Sequence, residues 1–574
     1  MLGSVLKRLL RRIAPGPRAT GWLEESAALH SAGRYADAAV MCRAQLARVP
    51  GDTDALQGLA AALLAQGQSA EGLAHLREAA RLTPEEPDLH ATVASIEAAH
   101  GEIESAIASY RHALALRPGA EAWRLQAVAL LKALQRYDEA EDCCRESVTH
   151  TQATAALHHA LAGVLFEQGR VDESLEELRA ARMLSPRSAA IHSDTLRALN
   201  YVEGDPEAVY REHLAWDAEH AKALHDPSSL GPRDTRPVRR LRIGYVSPYF
   251  RKHAVTFFLE SVIENHDRDA FEIMLYADVT RPDEYSERLK AHGALWRSTV
   301  GLDDQAMADM VRADGVDILV DLSGHTPGNR LLAFARRAAP VQVTWNGYPN
   351  TTGMTAMDYR ITDALCDPPG LTERLHTEQL VRLPGIYMSW RPPDTAPEPG
   401  PLPARAAGAV TFGSFNSCFK ITPRTVSLWS KVLHAVPGSR LVLLTVSEGR
   451  AAARVRDAFA SHGIGAERLK LAARTSHEGF LAAHRDVDIA LDAFPYHGTT
   501  TTCFSLWMGV PVVTLAGVTH VSRVGLSLLT SVGLPELAAR DDDEYVTIAV
   551  SLAGNLERLG ALRAGLRERM LRSV

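Results

Sequence analysis

The sequence predicts a helical repeat region followed by two α/β domains, and three observations support this fold class. Glycine and proline recur with a 34-residue period in the first third of the chain. Short apolar strands alternate with helices in the remaining two thirds, which is typical of parallel sheets with helices on both faces. A proline-rich stretch, 391–409, divides this α/β part into two. We therefore expect an α plus α/β protein with a cleft between two sheet domains.

The predicted repeats occupy residues 21–190 and number about five. Glycines lie at one position of the period, with Gln135 in the remaining slot: Gly33, Gly67, Gly101 and Gly169. Prolines keep the same period, with Gln152 as the exception: Pro50, Pro84, Pro118 and Pro186. Two columns hold mostly small residues, which let paired helices approach closely: Ser26, Ala60, Ala94, Val128 and Ala162, and Ala38, Gly72, Ala106, Ala140 and Ser174. This is the tetratricopeptide signature. It predicts a superhelix whose groove binds acceptor proteins or peptides, or alternatively a spacer that only docks the protein or forms a homodimer.

Composition limits the remaining possibilities. A net charge of −7 argues against a general nucleic-acid binder, and no apolar run approaches the length of a transmembrane segment. The basic segment 1–20 is expected to be a frayed helix, with a membrane-surface anchor as the alternative. The six cysteines show no CxxC pair and no His/Cys metal spacing, so we expect a reducing cytoplasm and no structural zinc, and we also expect no cofactor.

The α/β part is predicted to contain two Rossmann-like domains, at 239–395 and 396–545, with capping helices and a linker (191–238) before them and terminal helices (546–574) after them. The clearest predicted strands are 240–247, 271–277, 316–322, 341–345, 410–415, 440–445 and 469–471. Polar residues gather where these strands end, which is the position at which open α/β sheets bind ligands.

The most informative stretch is 488–514, which has the pattern strand, Gly/Thr turn, helix, strand. Gly498 and the run Thr499–Thr502 open the helix. Free backbone amides and the positive end of a helix dipole meet at such a turn, where a phosphate binds well. The alternative is a threonine-rich N-cap without a ligand.

Several blocks of the sequence resemble one family. They are Ile243–Ser247, Phe250–His253, Asp321–Thr326, Pro340–Gly353, Thr411–Pro423 and Phe494–Thr502. In this order they are similar to the SPINDLY and O-GlcNAc transferase glycosyltransferases of glycosyltransferase family 41. The resemblance implies a GT-B fold and inverting, metal-independent transfer of a sugar from a nucleotide donor to Ser/Thr of proteins. UDP-GlcNAc is the favoured donor, with GDP-fucose and a SPINDLY-like fucosyltransferase as the alternative.

The resemblance also implies roles for particular residues. Lys420 matches the lysine that stabilises the departing nucleoside diphosphate, and Gly498, Thr499, Thr500, Thr501 and Thr502 form the diphosphate nest. Asn416 and Ser417 are expected to line the same pocket, and Arg474, Thr475 and His477 to surround the nucleotide base. His253 is expected in the active site, as a base or as a positioning group. His325 is a second candidate, with a loop-holding role as its alternative.

Two departures from the family pattern leave a third hypothesis open. Phe504 stands where the family has an acidic residue that contacts the ribose, and the repeats lack the asparagine ladder that grips peptides. Either departure is compatible with a tetratricopeptide scaffold whose catalytic region is inactive. If Phe504 faces the ribose, Phe504→Glu is expected to strengthen nucleotide binding by roughly 1–3 kcal/mol.

Overall fold

The computed structural model describes residues 21–150, 153–226, 228, 230, 236 and 239–573. The predicted basic segment 1–20, Gln152 and most of the linker before residue 239 lie outside the described residues. The chain divides into two compact units, one ending at Leu165 and the other beginning at Phe166. This division falls inside the predicted repeat range 21–190, so the domain bounds given by the sequence stay a prediction.

The described residues of the first unit form antiparallel helix pairs separated by tight turns. Gly33, Gly67 and Gly101 adopt left-handed backbone conformations in these turns, with φ of 72°, 78° and 82°. Gln135, which stands in the glycine column, also adopts this conformation, with φ of 59°. The turn geometry therefore dictates the period, and glycine is favoured because it has no Cβ to clash. The helices are α1 (Gly21–Ser31), α2 (Tyr35–Arg48), α3 (Thr53–Ala65), α4 (Ser69–Leu82), α5 (Pro87–Ala99), α6 (Ile103–Leu116), α7 (Glu121–Ala133), α8 (Tyr137–His150) and α9 (Ala155–Glu167), the last of which crosses the unit boundary.

The predicted small-residue columns are buried. Ala38, Ala60, Ala94, Ala106 and Ala140 have no exposed surface. Larger side chains at these positions would separate the helices of each pair, because protein interiors leave little free volume. The tetratricopeptide prediction is thereby supported by both turn geometry and packing.

The second unit begins with further helices. A π-helical turn, Asp217–Ala221, extends the last of them, and a 3₁₀ turn, Lys222–Leu224, follows. The helices are α10 (Val171–Leu184), α11 (Ala189–Leu199) and α12 (Pro206–Trp216).

The N-terminal lobe contains a parallel seven-stranded sheet with the strand order β3-β2-β1-β4-β5-β6-β7. Its strands are β1 (Leu241–Ser247), β2 (Phe271–Ala277), β3 (Leu295–Ser298), β4 (Ile318–Asp321), β5 (Val341–Thr344), β6 (Tyr359–Asp363) and β7 (Gln379–Leu383). Its helices are α13 (Ala254–Asn265), α14 (Glu284–Ala291), α15 (Asp304–Ala313) and α16 (Leu331–Ala335).

The C-terminal lobe contains a parallel six-stranded sheet with the order β10-β9-β8-β11-β12-β13. Its strands are β8 (Thr411–Ser414), β9 (Arg440–Leu444), β10 (Leu469–Ala472), β11 (Ile489–Leu491), β12 (Val512–Leu515) and β13 (Ala538–Ala539). Its helices are α17 (Pro403–Ala407), α18 (Pro423–Ala435), α19 (Arg450–Ser461), α20 (His477–Ala483), α21 (Thr500–Trp507), α22 (Val524–Ser531), α23 (Asp542–Ala553) and α24 (Leu556–Leu571).

The predicted fold class is confirmed, and the seven strands listed above and the two strands of the 488–514 stretch are all present. The strands that the sequence missed are β3, β6, β7 and β13, all of which lie toward the edges of the sheets. Edge strands bury fewer side chains and carry a weaker apolar pattern, so periodicity detects them poorly. The proline-rich stretch 391–409 also contains a short helix, α17, which the sequence did not predict.

Both sheets reverse their strand order next to the first strand of the lobe. The chain leaves β1 and β8 to one side of the sheet and returns on the other side at β4 and β11. Open α/β sheets bind ligands in the crevice at such a switch point, outside the carboxyl ends of the strands. A ligand-binding site is therefore expected at the loops that follow β1, β4, β8 and β11.

Contacts between buried polar groups fasten the two lobes together. His520 of the C-terminal lobe lies 2.7 Å from Asp367 Oδ2 and 3.2 Å from the Tyr387 hydroxyl of the N-terminal lobe. The Ser527 hydroxyl donates a 2.6 Å hydrogen bond to Asp363. Within the described part of the chain, no helix has the length and apolarity needed to cross a bilayer.

Candidate functional site

The switch point of the C-terminal lobe brings two predicted segments together. The loop after β8 carries Asn416, Ser417 and Lys420, and the loop after β11 leads into α21 through Gly498. The Lys420 ammonium donates a 2.6 Å hydrogen bond to the carbonyl of His497, the residue before Gly498. The predicted cation and the predicted nest therefore share one crevice.

The Lys420 side chain is half-buried, and its ammonium makes close contacts. Its ammonium lies 4.3 Å from the centroid of the Tyr496 ring, within the range of a cation–π contact. Burial lowers the pKa of Lys420 to about 8, and the negative charge of Asp492 opposes this shift. An ammonium in contact with a neutral carbonyl and a ring face gains energy when an anion binds beside it.

The Asp492 carboxylate holds the nest in place through hydrogen bonds. Its Oδ1 accepts hydrogen bonds from the amides of Gly498 (2.7 Å) and Ala493 (3.0 Å) and from the Asn416 side chain (3.2 Å). Its Oδ2 accepts a 2.9 Å hydrogen bond from the Thr514 hydroxyl. The carboxylate is thus engaged on both oxygens, which fixes the path of the loop between β11 and α21.

The entrance of α21 is narrow. A Cβ on Gly498 would lie 2.4 Å from Thr501 Oγ1 and 3.1 Å from Asn416 Oδ1, so only glycine fits without a shift. The Thr501 hydroxyl donates to Asn416 Oδ1 (3.1 Å), and the Thr502 hydroxyl donates to the carbonyl of Gly498 (2.9 Å). These two hydroxyls are turned to the protein, whereas the sequence had suggested that they point to a ligand.

The helix start itself remains suited to an anion. Thr499 occupies the N-cap position of α21 and makes no side-chain capping hydrogen bond. Thr499, Thr500 and Ser417 are half-buried at the mouth of the crevice. The first amides of an α-helix lack intrahelical acceptors, so these amides and the helix dipole favour a negative group here.

The residues predicted to surround the nucleotide base lie on one loop. Arg474 and Thr475 are exposed in the loop after β10, and His477 begins α20. The His477 ring is parallel to that of Phe257 from the N-terminal lobe, with 6.0 Å between centroids. This loop therefore faces the cleft between the lobes.

Phe504 lies in an aromatic cluster that joins the lobes. It is only 4% exposed, and its ring packs edge-on against Phe257, Trp390, His477 and Phe480, with centroids 5.4–5.6 Å apart. A glutamate in this cluster would lose its water without gaining a partner. The expectation that Phe504→Glu strengthens nucleotide binding required this side chain to face the ribose, and its burial among four rings argues against that geometry.

His253 occupies the N-cap of α13, after β1. Its Nδ1 accepts a 3.3 Å hydrogen bond from the Val255 amide, and its ring stacks on Tyr249 with centroids 3.9 Å apart. Burial, together with the charges of Arg251 and Arg474, lowers the pKa of His253 to about 4. The neutral ring thus carries its proton on Nε2 and presents a donor, which suits a positioning group better than a base.

His325 is not brought to this crevice. It is fully buried, with Nδ1 facing the Ser193 hydroxyl at 3.0 Å and Nε2 facing the Thr352 carbonyl at 2.9 Å. Burial holds the pKa of this imidazole well below its usual range. These contacts agree with the loop-holding alternative and leave neither ring nitrogen open to a substrate.

Sequence reasoning missed three residues of the crevice. His497 presents its carbonyl to Lys420 while its ring is fixed between the Leu515 carbonyl (2.8 Å) and the Gly525 amide (3.0 Å). The Tyr496 ring contacts Lys420 and stacks on Tyr201, with centroids 4.3 Å apart. Tyr201 follows α11, where the repeat period is lost, and no sequence signal linked it to the site.

Comparison with known proteins now identifies the family. The sequence pattern of glycosyl transferase family 41 matches residues 187–389 and 402–574. The chain belongs to glycosyl transferase family 41. Tetratricopeptide patterns match residues 29–96 and 94–155 of this family member. The resemblance carried by the sequence blocks is thereby confirmed.

The similar proteins carry glycosyltransferase names. A Petunia hybrida protein named "Probable UDP-N-acetylglucosamine--peptide N-acetylglucosaminyltransferase SPINDLY" is 41% identical over 68% of this chain and 42% of its own length. The Arabidopsis thaliana protein SEC, named as a probable enzyme of the same activity, is 31% identical over 59% of this chain and 36% of its own length. These matches span about two fifths of the relatives' length.

A solved structure is similar over the whole chain. It is described as a mutant of the Thermobaculum terrenum O-GlcNAc transferase, and it is 34% identical, with a TM-score of 0.73. The similarity covers 100% of this chain and 94% of that one. The helical repeats and the two Rossmann-like lobes are therefore arranged along the sequence as in that transferase.

Proposed function

We propose that this family member is a protein O-glycosyltransferase that transfers a sugar from a nucleotide donor to a Ser or Thr hydroxyl. The observation that carries the proposal is the shared crevice of Lys420 and the Gly498 nest. A cation and a helix start meet there at the switch point of a parallel sheet, which is a chemically complete site for a diphosphate. We propose UDP-GlcNAc as the donor, in line with the names of the similar proteins.

The proposed reaction breaks the bond between the sugar anomeric carbon and the diphosphate oxygen and forms a bond to the acceptor oxygen. Attack from the face opposite the leaving group inverts the anomeric configuration. Negative charge builds up on the departing diphosphate, and Lys420 and the amides of α21 stabilise it as it forms. The bond electrons leave with the diphosphate, and the hydroxyl proton of the acceptor is lost to solvent or a base. No metal ion is required in this scheme.

His253 is proposed to position a reacting group. Its Nε2–H can donate to an oxygen of the donor or the acceptor, whereas its Nδ1 is already engaged by the Val255 amide. A hydrogen-bond donor that is uncharged throughout the physiological pH range orients the substrate without adding charge.

GDP-fucose is the alternative donor. The SPINDLY-named relatives are more similar to this chain (40–42% identity) than SEC (31%). The threonine-rich nest also resembles SPINDLY, and this resemblance is what implies GDP-fucose as the alternative donor. The nucleotide base and the sugar would then be read by the loop of Arg474, Thr475 and His477 and by the N-terminal lobe.

The repeats are proposed to hold the acceptor protein. Tetratricopeptide arrays use their concave face for peptides, and this chain would bind them without the asparagine ladder. A spacer or a homodimer formed through the repeats is the alternative. The proposed location is the cytoplasm, because no disulfide joins any of the six cysteines, as expected in a reducing compartment.

A scaffold with an inactive catalytic region is the competing function. The aromatic cluster around Phe504 favours it, since a phenyl ring cannot accept hydrogen bonds from ribose hydroxyls. The contacts of Asp492 with the Gly498 amide and of Lys420 with the His497 carbonyl favour the enzyme, because they hold a cation beside the start of α21, where a diphosphate would bind.

Calorimetry with UDP, GDP, UDP-GlcNAc and GDP-fucose separates these functions. We expect one nucleotide pair to bind and Lys420→Ala to weaken that binding by about 10- to 150-fold, the equivalent of a charge-assisted hydrogen bond of 1.5–3 kcal/mol. Lys470→Ala is the matched control, because Lys470 lies in the same lobe with a side chain that is 64% exposed. Absence of binding at millimolar concentration would favour the scaffold, and preference for GDP-fucose over UDP-GlcNAc would identify the alternative donor.

A further inference from the structure

Two histidines and a glutamate converge on the helices that precede the catalytic lobes. His192 lies on α11, and Glu219 and His220 lie in the π-helical turn after α12. His192 Nδ1 is 3.1 Å from His220 Nε2 and 3.6 Å from Glu219 Oε2, and the latter two atoms are 3.7 Å apart. Among the residues that the structure describes, this is the one group of three or more potential ligands gathered closely enough for a metal ion.

The triangle has the dimensions of one face of a tetrahedral metal site. Ligand atoms about 2.0–2.1 Å from Zn²⁺ are separated by about 3.4 Å in a regular tetrahedron. The three observed separations scatter around this value. A single point about 2 Å from all three atoms therefore exists without any movement of the backbone.

A neighbouring carboxylate fixes the tautomer that a metal needs. His192 Nε2 lies 3.0 Å from Glu212 Oε1, which can only accept, so this nitrogen carries the proton. The Nδ1 atom then keeps its lone pair, and it lies 3.1 Å from His220 Nε2 and 3.6 Å from Glu219 Oε2. Histidines that bind metals characteristically donate their second nitrogen to a carboxylate in this way.

Glu219 and His220 both lie in the π-helical turn Asp217–Ala221, so the backbone that carries them follows a wider turn than an α-helix. Such turns interrupt α-helices at the cost of poorer hydrogen bonding and often occur at functional sites. The His192 ring is fully buried, whereas the Glu219 side chain is 42% exposed, so water can reach the carboxylate of this group.

Arg182 is the other charged group in contact with the cluster. Its guanidinium lies 2.9 and 3.1 Å from the two oxygens of Glu219 and also contacts Glu212. The two carboxylates outnumber this single cation, so a net negative charge remains to balance a divalent ion.

We propose that His192, His220 and Glu219 bind one Zn²⁺, with water as the fourth ligand and Glu212 as the orienting group. Two imidazoles and a carboxylate are borderline ligands that suit zinc. The ion would join α11 to the turn after α12. Because Ser193 on α11 and Asn200 at its C-cap contact His325 and Tyr348 of the N-terminal lobe, the effect of the ion is on the stability of this junction and not on the chemistry.

The site has no sequence motif. His192 and His220 are 28 residues apart, a spacing that short metal-binding motifs do not have. The expectation that the chain binds no metal was based on such motifs, so it could not detect ligands brought together by helix packing.

The test uses the full chain, stripped of metal with a chelator and titrated with Zn²⁺ in a calorimeter. We expect one site per chain, loss of that site in His220→Ala, and affinity reduced about 10- to 100-fold in Glu212→Gln. Co²⁺ provides a second measurement, because its visible absorption reports direct imidazole coordination in a near-tetrahedral site. The thermal midpoint of the wild type is expected to rise with Zn²⁺, and that of His220→Ala to be unaffected.

The control is a second histidine pair in the repeats. His90 and His112 have ring centroids 4.2 Å apart but both direct Nε2 at the Pro84 carbonyl. The His90→Ala/His112→Ala variant should bind Zn²⁺ like the wild type. Equal Zn²⁺ binding in wild type and His220→Ala, or none in the wild type, would overturn the proposal. UDP binding should be the same with and without Zn²⁺, so this outcome is independent of the proposed transferase activity.

Discussion

The charge of Lys420 provides the sharpest test of the proposed site, because the free and nucleotide-bound states should differ in protonation. Burial lowers the pKa of its ammonium to about 8, with Asp492 opposing the shift. One phosphate charge about 4 Å away contributes about 4 kcal/mol at an effective dielectric constant of 20. This corresponds to about three pKa units. We therefore expect the pKa of Lys420 to exceed about 10 in the UDP complex.

Three consequences follow for the wild type. UDP binding should take up about half a proton per chain at pH 8, because half of the free chains are then deprotonated. The dissociation constant should be constant from about pH 7 to 7.5 and rise about tenfold per pH unit above 8.5. Without nucleotide, the free energy of unfolding should rise between pH 8 and about 10.5, since the unfolded chain binds more protons in that window.

Calorimetry in two buffers of different ionisation enthalpy measures the proton uptake directly. Lys420→Met should remove both the uptake and the pH dependence above 8, whereas Lys470→Ala should retain them. If UDP binding to the wild type causes no proton uptake at pH 8, the Lys420 ammonium does not face the diphosphate. The proposed catalytic role would then be refuted even if UDP binds.

Other residues of the site give three further predictions. Asp492→Asn should move the loss of nucleotide binding to lower pH, because Asp492 raises the Lys420 pKa; a transition that stays near pH 8 would contradict this. His253→Ala should lower kcat/KM by about 2- to 12-fold, which is the value of a neutral hydrogen bond, and His253→Gln should restore part of this loss. A loss above 100-fold in both variants would instead indicate a base, and so would a change in the pH–rate profile near pH 6.5 that depends on His253. Phe504→Glu should lower the free energy of unfolding by at least about 3 kcal/mol in chemical denaturation and abolish nucleotide binding, whereas Phe504→Leu should cost less; a stable Phe504→Glu variant would contradict the burial of this ring.

The repeat region shows how far sequence can go when local geometry dictates composition. A left-handed turn every 34 residues favours glycine, and close helix pairs require small side chains, so both columns were legible in the sequence. Gln135 is informative here, because it takes the glycine conformation without being glycine. The 34-residue period predicts a turn at this position, and the φ of 59° at Gln135 agrees with that prediction.

The central strands and the nest were predictable for a similar reason. A strand buried on both faces reads as a continuous apolar run. Glycine is required before α21, because a Cβ at position 498 would lie 2.4 Å from Thr501 Oγ1. Lys420 could be assigned through the family motif in which it lies. Each of these features depends on neighbours within a few residues of the chain.

What the sequence by itself determined is therefore the repeat, the two parallel sheets and the loops at their switch points. Only the tertiary structure decided which side chains face the crevice. It placed His325 in a packed junction, enclosed Phe504 in aromatic rings, and brought Tyr201, from a segment without a motif, against the Tyr496 ring that contacts Lys420. It also gathered His192, Glu219 and His220 from two helices. Burial and long-range contact set the protonation and accessibility of a side chain, and neither is encoded by residues adjacent to it in the chain.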